Sequence, residues 1–141
     1  MGYGDSIMVT GMAKIAKEKI AAIKTKNQIV FSVKQKKIVR AILLKKTKAT
    51  KNKNLAFTKP IQYNPQFLYG EHQKNNAGLA EAIAIYLNKS KHFKINQHSI
   101  KKSIISTKWP GRFEIIHTKP NVVFDVAHNK EGIISFINTF K

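Results

Sequence analysis

With 141 residues, of which 43% are hydrophobic, the chain is long enough to form one ordinary domain with a core. It has no cysteine, which excludes disulfides and thiolate metal sites, and no apolar run near the roughly 18 residues of a membrane span. Because the N-terminal residues also lack the apolar stretch of a secretory signal, we expect a cytoplasmic protein without a membrane partner.

The formal net charge of +19 is the extreme feature of the composition. Scattered lysines carry nearly all of it, and Arg40 and Arg112 are the only arginines. Sequence-reading nucleic-acid proteins favour arginine forks and interleaved aromatic side chains, so we expect no specific nucleic-acid partner. A basic nucleic-acid-binding module stays open as an alternative function, since charge alone attracts polyanions.

Apolar periodicity along the chain predicts an α/β protein. Helical spacing predicts helices at 12–24, 35–46, 75–87 and 97–106. A β-branched and aromatic run predicts a strand at 28–33, and the lysine-rich residues 45–54 predict a solvated loop. This helix–strand–helix order is typical of the tail of a nucleotide-binding domain.

The last third of the chain concentrates chemically useful residues. A Trp-Pro-Gly turn at 109–111 presents Arg112 and predicts a hinge between two domains, 1–108 and 109–141. Strands are predicted at 113–117 and 121–125, the second buried, and Asn129 is predicted to cap a final helix.

The residues at the end of the second strand suggest a ligand site. Ligands of open α/β sheets bind at the carboxyl ends of strands, where Arg112 offers a guanidinium for phosphate and Asp125 a carboxylate for ribose hydroxyls or an ammonium. A loop arginine followed by a helix-capping Asp/Asn pair is the plain alternative.

Three stretches in order resemble one family. W-P-G-R-F-E at 109–114 with D-V-A-H-N at 125–129, G-E-H-Q-K-N-N-A at 70–77 and I-A-K-E-K-I-A-A-I-K at 15–24 are similar to motifs of the folylpolyglutamate synthase/dihydrofolate synthase family, within the Mur-ligase-like ATP-dependent amide ligases. The resemblance implies the tail of a central ATPase domain in residues 1–108, then a hinge and the start of a Rossmann-like C-terminal glutamate-ligase domain in 109–141.

The resemblance also implies a reaction and its residues. Family members use ATP and magnesium to phosphorylate a carboxylate of folate or dihydropteroate, and the amine of glutamate attacks the acyl phosphate. By resemblance, Asn76 contacts the nucleotide near its base, Arg112 the phosphates and Asp125 the ATP from the second domain. His128 is implied to lie near the acidic or glutamate substrate.

Lys19 matches a family lysine that is carbamylated to become a magnesium ligand. The chain departs from the family nearby: Asp5-Ser6 stands where the family has an Asp-His pair, and Ala22 where it has Gly-Ile. An ordinary solvated lysine on an amphipathic helix is the alternative.

No glycine-rich phosphate loop, G-x-x-x-x-G-K-[ST], occurs in the 141 residues. We therefore expect a truncated member of the family that resembles an ATP-dependent carboxylate–amine ligase but lacks activity alone, because an N-terminal ATPase part is missing. A complementing subunit of a split ligase is the second possibility.

Overall fold

A computed structural model describes residues 3–90 and 93–140 of the chain. Helices and strands are mixed, as predicted, and the chain forms two compact units, Met1–Thr58 and Lys59–Lys141. The domain boundary predicted at Trp109 lies within the second unit and stays a prediction. None of the described helices is long and apolar enough to cross a lipid bilayer.

The first unit is a small parallel β–α–β arrangement preceded by a helix. Its elements are α1 (Tyr3–Ile20), β1 (Val30–Ser32), α2 (Lys37–Ala49) and β2 (Leu55–Phe57). Strands β1 and β2 pair in parallel, with Val30 opposite Leu55, so α2 is the crossover that a parallel pair requires.

One buried side chain, that of Asn52, joins the loops before the two strands. Its Nδ2 donates to the carbonyl oxygens of Thr25 (3.0 Å) and Gln28 (2.8 Å), and its Oδ1 accepts from the Asn54 amide at 2.8 Å. Because all three bonds are made away from bulk water, this one amide fixes how the two strand entries meet.

Two predictions for this unit are wrong in detail. The first helix ends at Ile20 rather than at residue 24, and the predicted loop at 45–54 is helical through Ala49. Lysine is a good helix former, and Thr47 faces the interior, so the lysine-rich composition there marks the solvent face of a helix.

The second unit contains α3 (Glu71–Lys89), α4 (Gln97–Ser106), the hairpin of β3 (Glu114–Thr118) and β4 (Asn121–Phe124), and α5 (Lys130–Thr139). Helix α4 has the predicted bounds, and Asn129 caps α5 as predicted, with its side chain accepting from the Gly132 amide at 2.8 Å. Helix α3 begins at Glu71, four residues before the predicted start.

The strand pair is an antiparallel hairpin around a cis Lys119–Pro120 peptide. The strand predicted at 121–125 is present as β4 and ends one residue earlier, but it is not buried: the side chain of Phe124 is 50% exposed, and Val122 is exposed as well. In the described residues β4 pairs with β3, so most of its apolar side chains remain in contact with solvent.

An aromatic cluster joins the turn before β3 to α5. The ring of Phe113 lies 5.4 Å from Tyr69, 5.6 Å from Phe136 and 4.9 Å from Phe140 (centroid distances). Such tilted ring pairs stabilise beyond their buried area, and here they place the 109–114 turn beside the last helix.

Candidate functional site

The 109–114 turn is held rigidly against the chain that follows β4. Gly111 has φ +72°, a conformation that favours glycine, and a Cβ there would lie 2.7 Å from Cγ1 of Val126. The Gly111 amide donates to Oε2 of Glu114 at 2.8 Å, and its carbonyl oxygen accepts from the Val126 amide at 2.9 Å. The backbone from which Arg112 projects is therefore fixed by bonds on both sides of the turn.

Asp125 bridges the same two segments with its carboxylate. Oδ2 accepts from the amide of Phe113 and Oδ1 from the amide of Ala127, both at 2.8 Å. Phe113 has φ +48°, which costs a side-chain-bearing residue about 1 kcal/mol, so its amide bond to a charged acceptor offsets strain in the turn. The carboxylate that the sequence marked as a ligand contact is thus also a structural acceptor.

A cavity of about 260 Å³ opens beside this clamp. Arg112, Asp125 and His128, predicted from the sequence, line it together with His72 and Ser135. The remaining lining residues are Tyr69, Gln73, Phe113, Val126, Ala127, Asn129, Glu131, Gly132, Phe136 and Thr139. The motif at 70–77 and the motif at 109–114 therefore contribute residues to the same cavity.

His72 is the cavity residue that sequence reasoning missed as part of the site. Its Nδ1 lies 2.8 Å from Oγ of Ser135 on α5. Burial lowers the pKa of His72 below its ordinary value; the nearby Asp125 carboxylate acts to raise this pKa and the Arg112 guanidinium to lower it further. The available signal was the position of His72 within the G-E-H-Q motif.

Of the other predicted site residues, His128 lines the cavity, whereas Asn76 and Lys19 do not. Nδ1 of His128 lies 3.1 Å from the carbonyl oxygen of Val126. Asn76 is exposed on α3, one turn after His72 and Gln73. Its Nδ2 donates to Oε1 of Gln73 at 3.1 Å, and of these two residues Gln73 lines the cavity and Asn76 does not.

Lys19 lies in the first unit, exposed in the last turn of α1. The side chains of Asp5 and Ser6 lie outside the described part of the chain. Among the residues that are described, no group of three or more histidine or carboxylate side chains could hold a metal ion. The role of Lys19 as a magnesium ligand stays a prediction.

The fold matches solved structures of one kind. A folylpolyglutamate synthase complex with AMPPCP and folate matches 91% of this chain and 37% of its own with TM-score 0.77 and 22% identity. The Mycobacterium tuberculosis folylpolyglutamate synthase with ADP and AMPPCP matches 91% of this chain and 34% of its own with TM-score 0.71 and 22% identity. The chain thus has a Mur-ligase-like α/β fold.

Sequence comparison finds relatives of the same kind. The chain is 36% identical over 74 residues to the dihydrofolate synthase/folylpolyglutamate synthase of Bacillus subtilis and 31% identical over 74 residues to the folylpolyglutamate synthase of Lacticaseibacillus casei. Each alignment covers 52% of this chain and 17% of the relative, and no family model matches. The chain is thus similar to a segment of members of the folylpolyglutamate synthase/dihydrofolate synthase family.

Proposed function

We propose that this chain supplies part of the nucleotide site of a folylpolyglutamate synthase-like ligase, which uses ATP and magnesium to join glutamate to folate or to dihydropteroate. In this proposal Arg112 contacts the phosphates of ATP and Asp125 contacts the nucleotide from the strand end. His128 lies toward the acidic substrate, and Asn76 orients the base from α3.

The carrying observation is the meeting of Arg112, Asp125, His128 and His72 in one cavity. The braced turn fixes the backbone from which the Arg112 guanidinium projects, so only the side chain has to be ordered when a phosphate binds. Asp125 has both oxygens committed to backbone amides, yet each carboxylate oxygen can accept a second bond, for example from a ribose hydroxyl.

The proposal concerns binding rather than turnover by these residues alone. Backbone amides of a glycine-rich loop are the usual cradle for the phosphates of ATP, and the 141 residues contain no such motif. We therefore expect weak ATP binding without hydrolysis, and full activity only together with an ATPase part that carries the phosphate loop, on the same or a separate chain.

The test is an ATP titration followed by the fluorescence of Trp109, the single tryptophan, which is 65% exposed beside Arg112. Arg112→Ala should weaken binding about tenfold or more, because a charge-assisted contact to phosphate is lost. Arg40→Ala is the matched control: it removes the other arginine, which lies in the first unit over the ring of Phe57.

Salt separates this site from general attraction to a basic chain. Contacts of scattered lysines are screened at moderate ionic strength, whereas a directed contact of Arg112 keeps its contribution. The proposal is refuted if Arg112→Ala and Arg40→Ala bind ATP as the unaltered chain does and all binding disappears with salt. That result would favour the basic nucleic-acid-binding alternative.

A further inference from the structure

The His72 side chain, at the start of α3, is held by contacts with Gly70 and Ser135. Its ring lies against Gly70, which has φ +92°; a Cβ on Gly70 would lie 3.0 Å from both Cε1 and Nδ1 of the ring. Ser135 of α5 fixes the other side through the 2.8 Å contact between its Oγ and Nδ1. The His72 ring is thus in contact with the Gly70 backbone on one side and with the Ser135 hydroxyl on the other.

The 2.8 Å contact with Ser135 fits two tautomers of the ring, since either the serine hydroxyl donates to Nδ1 or Nδ1–H donates to Oγ. A serine hydroxyl that donates to Nδ1 makes this nitrogen an acceptor, so the proton of the neutral ring lies on Nε2. Partial burial lowers the pKa of His72 below its ordinary value, which favours the neutral ring, while part of the residue stays exposed to solvent. His72 lines the same cavity as Arg112, Asp125, His128 and Glu131.

We propose that Nε2–H of His72 is a second donor to the bound phosphate, beside Arg112, and that Ser135 sets the tautomer that makes it so. This inference rests on the proposed function, because it assigns a further residue to the phosphate part of that site. A neutral donor suits the position: it adds a directed hydrogen bond without placing a second positive charge near the Arg112 guanidinium.

The test uses inorganic pyrophosphate as the probe and the full chain as the sample. His72→Ala should weaken pyrophosphate binding about tenfold, because one hydrogen bond to a charged acceptor is lost. His72→Gln should recover most of the affinity, since the glutamine amide restores a donor. Ser135→Ala should weaken binding by at most about twofold, because the ring then divides between two tautomers of which one presents Nε2–H.

A matched control and a direct measurement accompany these variants. His98→Ala removes a histidine of α4 that is exposed and does not line the cavity, and it should leave pyrophosphate affinity unchanged. Nitrogen NMR should find the His72 proton on Nε2 near neutral pH in the unaltered chain, and a larger share of the Nδ1-protonated ring in Ser135→Ala. The NMR result stands even if His72→Ala fails to fold.

Several results would overturn the inference. It is wrong if His72→Ala binds pyrophosphate as tightly as the unaltered chain, or if a folded His72→Gln recovers no affinity. It is equally wrong if the unaltered chain carries the His72 proton on Nδ1 or does not bind pyrophosphate. Failure of the proposed function has a different signature, since it appears as ATP binding that is insensitive to Arg112→Ala. Pyrophosphate binding that depends on His72 but not on Arg112 would retain the donor and reject the proposed nucleotide site.

Discussion

Asp125 offers the sharpest test of how the site is built. Asp125→Ala removes the acceptor of two amide hydrogen bonds, from Phe113 and Ala127. A hydrogen bond to a charged group contributes about 1.5–3 kcal/mol, and because Asp125 is only half-buried we take the low end for each. Asp125→Ala should therefore lower the free energy of unfolding by about 3 kcal/mol. Asp125→Asn keeps one oxygen acceptor and should lower it by about 1–2 kcal/mol.

Urea denaturation of the two variants measures this difference, with the unfolding slope required to stay constant. Glu114→Gln is the matched control: its oxygen can still accept the Gly111 amide, so we expect a loss below about 1 kcal/mol. Amide hydrogen exchange adds a local readout, because Phe113 and Ala127 should lose protection in Asp125→Ala. An unchanged urea midpoint with both amides still protected would refute the clamp.

Three further predictions test the packing. Gly78→Ala should lower the melting temperature, by the equivalent of about 2 kcal/mol, because the new Cβ would overlap the carbonyl oxygen of Lys59. Gly11→Ala is the control: it has open space around it and should raise stability by about 0.5–1 kcal/mol. Asn52→Ala should lower the free energy of unfolding in urea by about 2–3 kcal/mol, because it removes the three hydrogen bonds made by a buried side chain. Stability should fall as pH drops below about 6.5, because the unfolded chain protonates its histidine before the folded chain protonates His72, and His72→Gln should reduce this slope.

Each of these has a result that contradicts it. Equal melting temperatures for Gly78→Ala and Gly11→Ala would show that α3 does not pack on the 59–60 backbone. Asn52→Ala with an unaltered urea midpoint would mean that the loops are held by other contacts. A pH dependence below about 6.5 that is identical in His72→Gln would assign the effect to another group.

Elements fixed by neighbouring residues were predictable from the sequence. Helix α4 and the Asn129 cap depend on contacts within one turn, so periodicity and cap chemistry located them. The start of α3 was misplaced because Gly70, not an asparagine, precedes the helix. Strand β2 was missed because its three residues form a strand only by pairing with β1, about 25 residues earlier.

The candidate site residues also differ in how far the sequence alone could predict them. Arg112, Asp125 and His128 were recognisable because each belongs to a compact motif of uncommon residues. The structure leaves Asn76 one turn away from the cavity and Lys19 in the other unit. His72 was missed as a site residue because its partner, Ser135, is 63 positions away in the sequence.

The sequence by itself therefore determined the α/β character, the Asn129 cap and the family motifs, since these arise from interactions among residues a few positions apart. Tertiary structure alone decided that the Asp125 carboxylate accepts two backbone amides and that Nδ1 of His72 contacts Ser135. Such choices depend on which distant backbone amide or hydroxyl comes within about 3 Å, where hydrogen bonds form. No spacing along the chain encodes that distance, because it is set by the packing of the whole unit around the cavity.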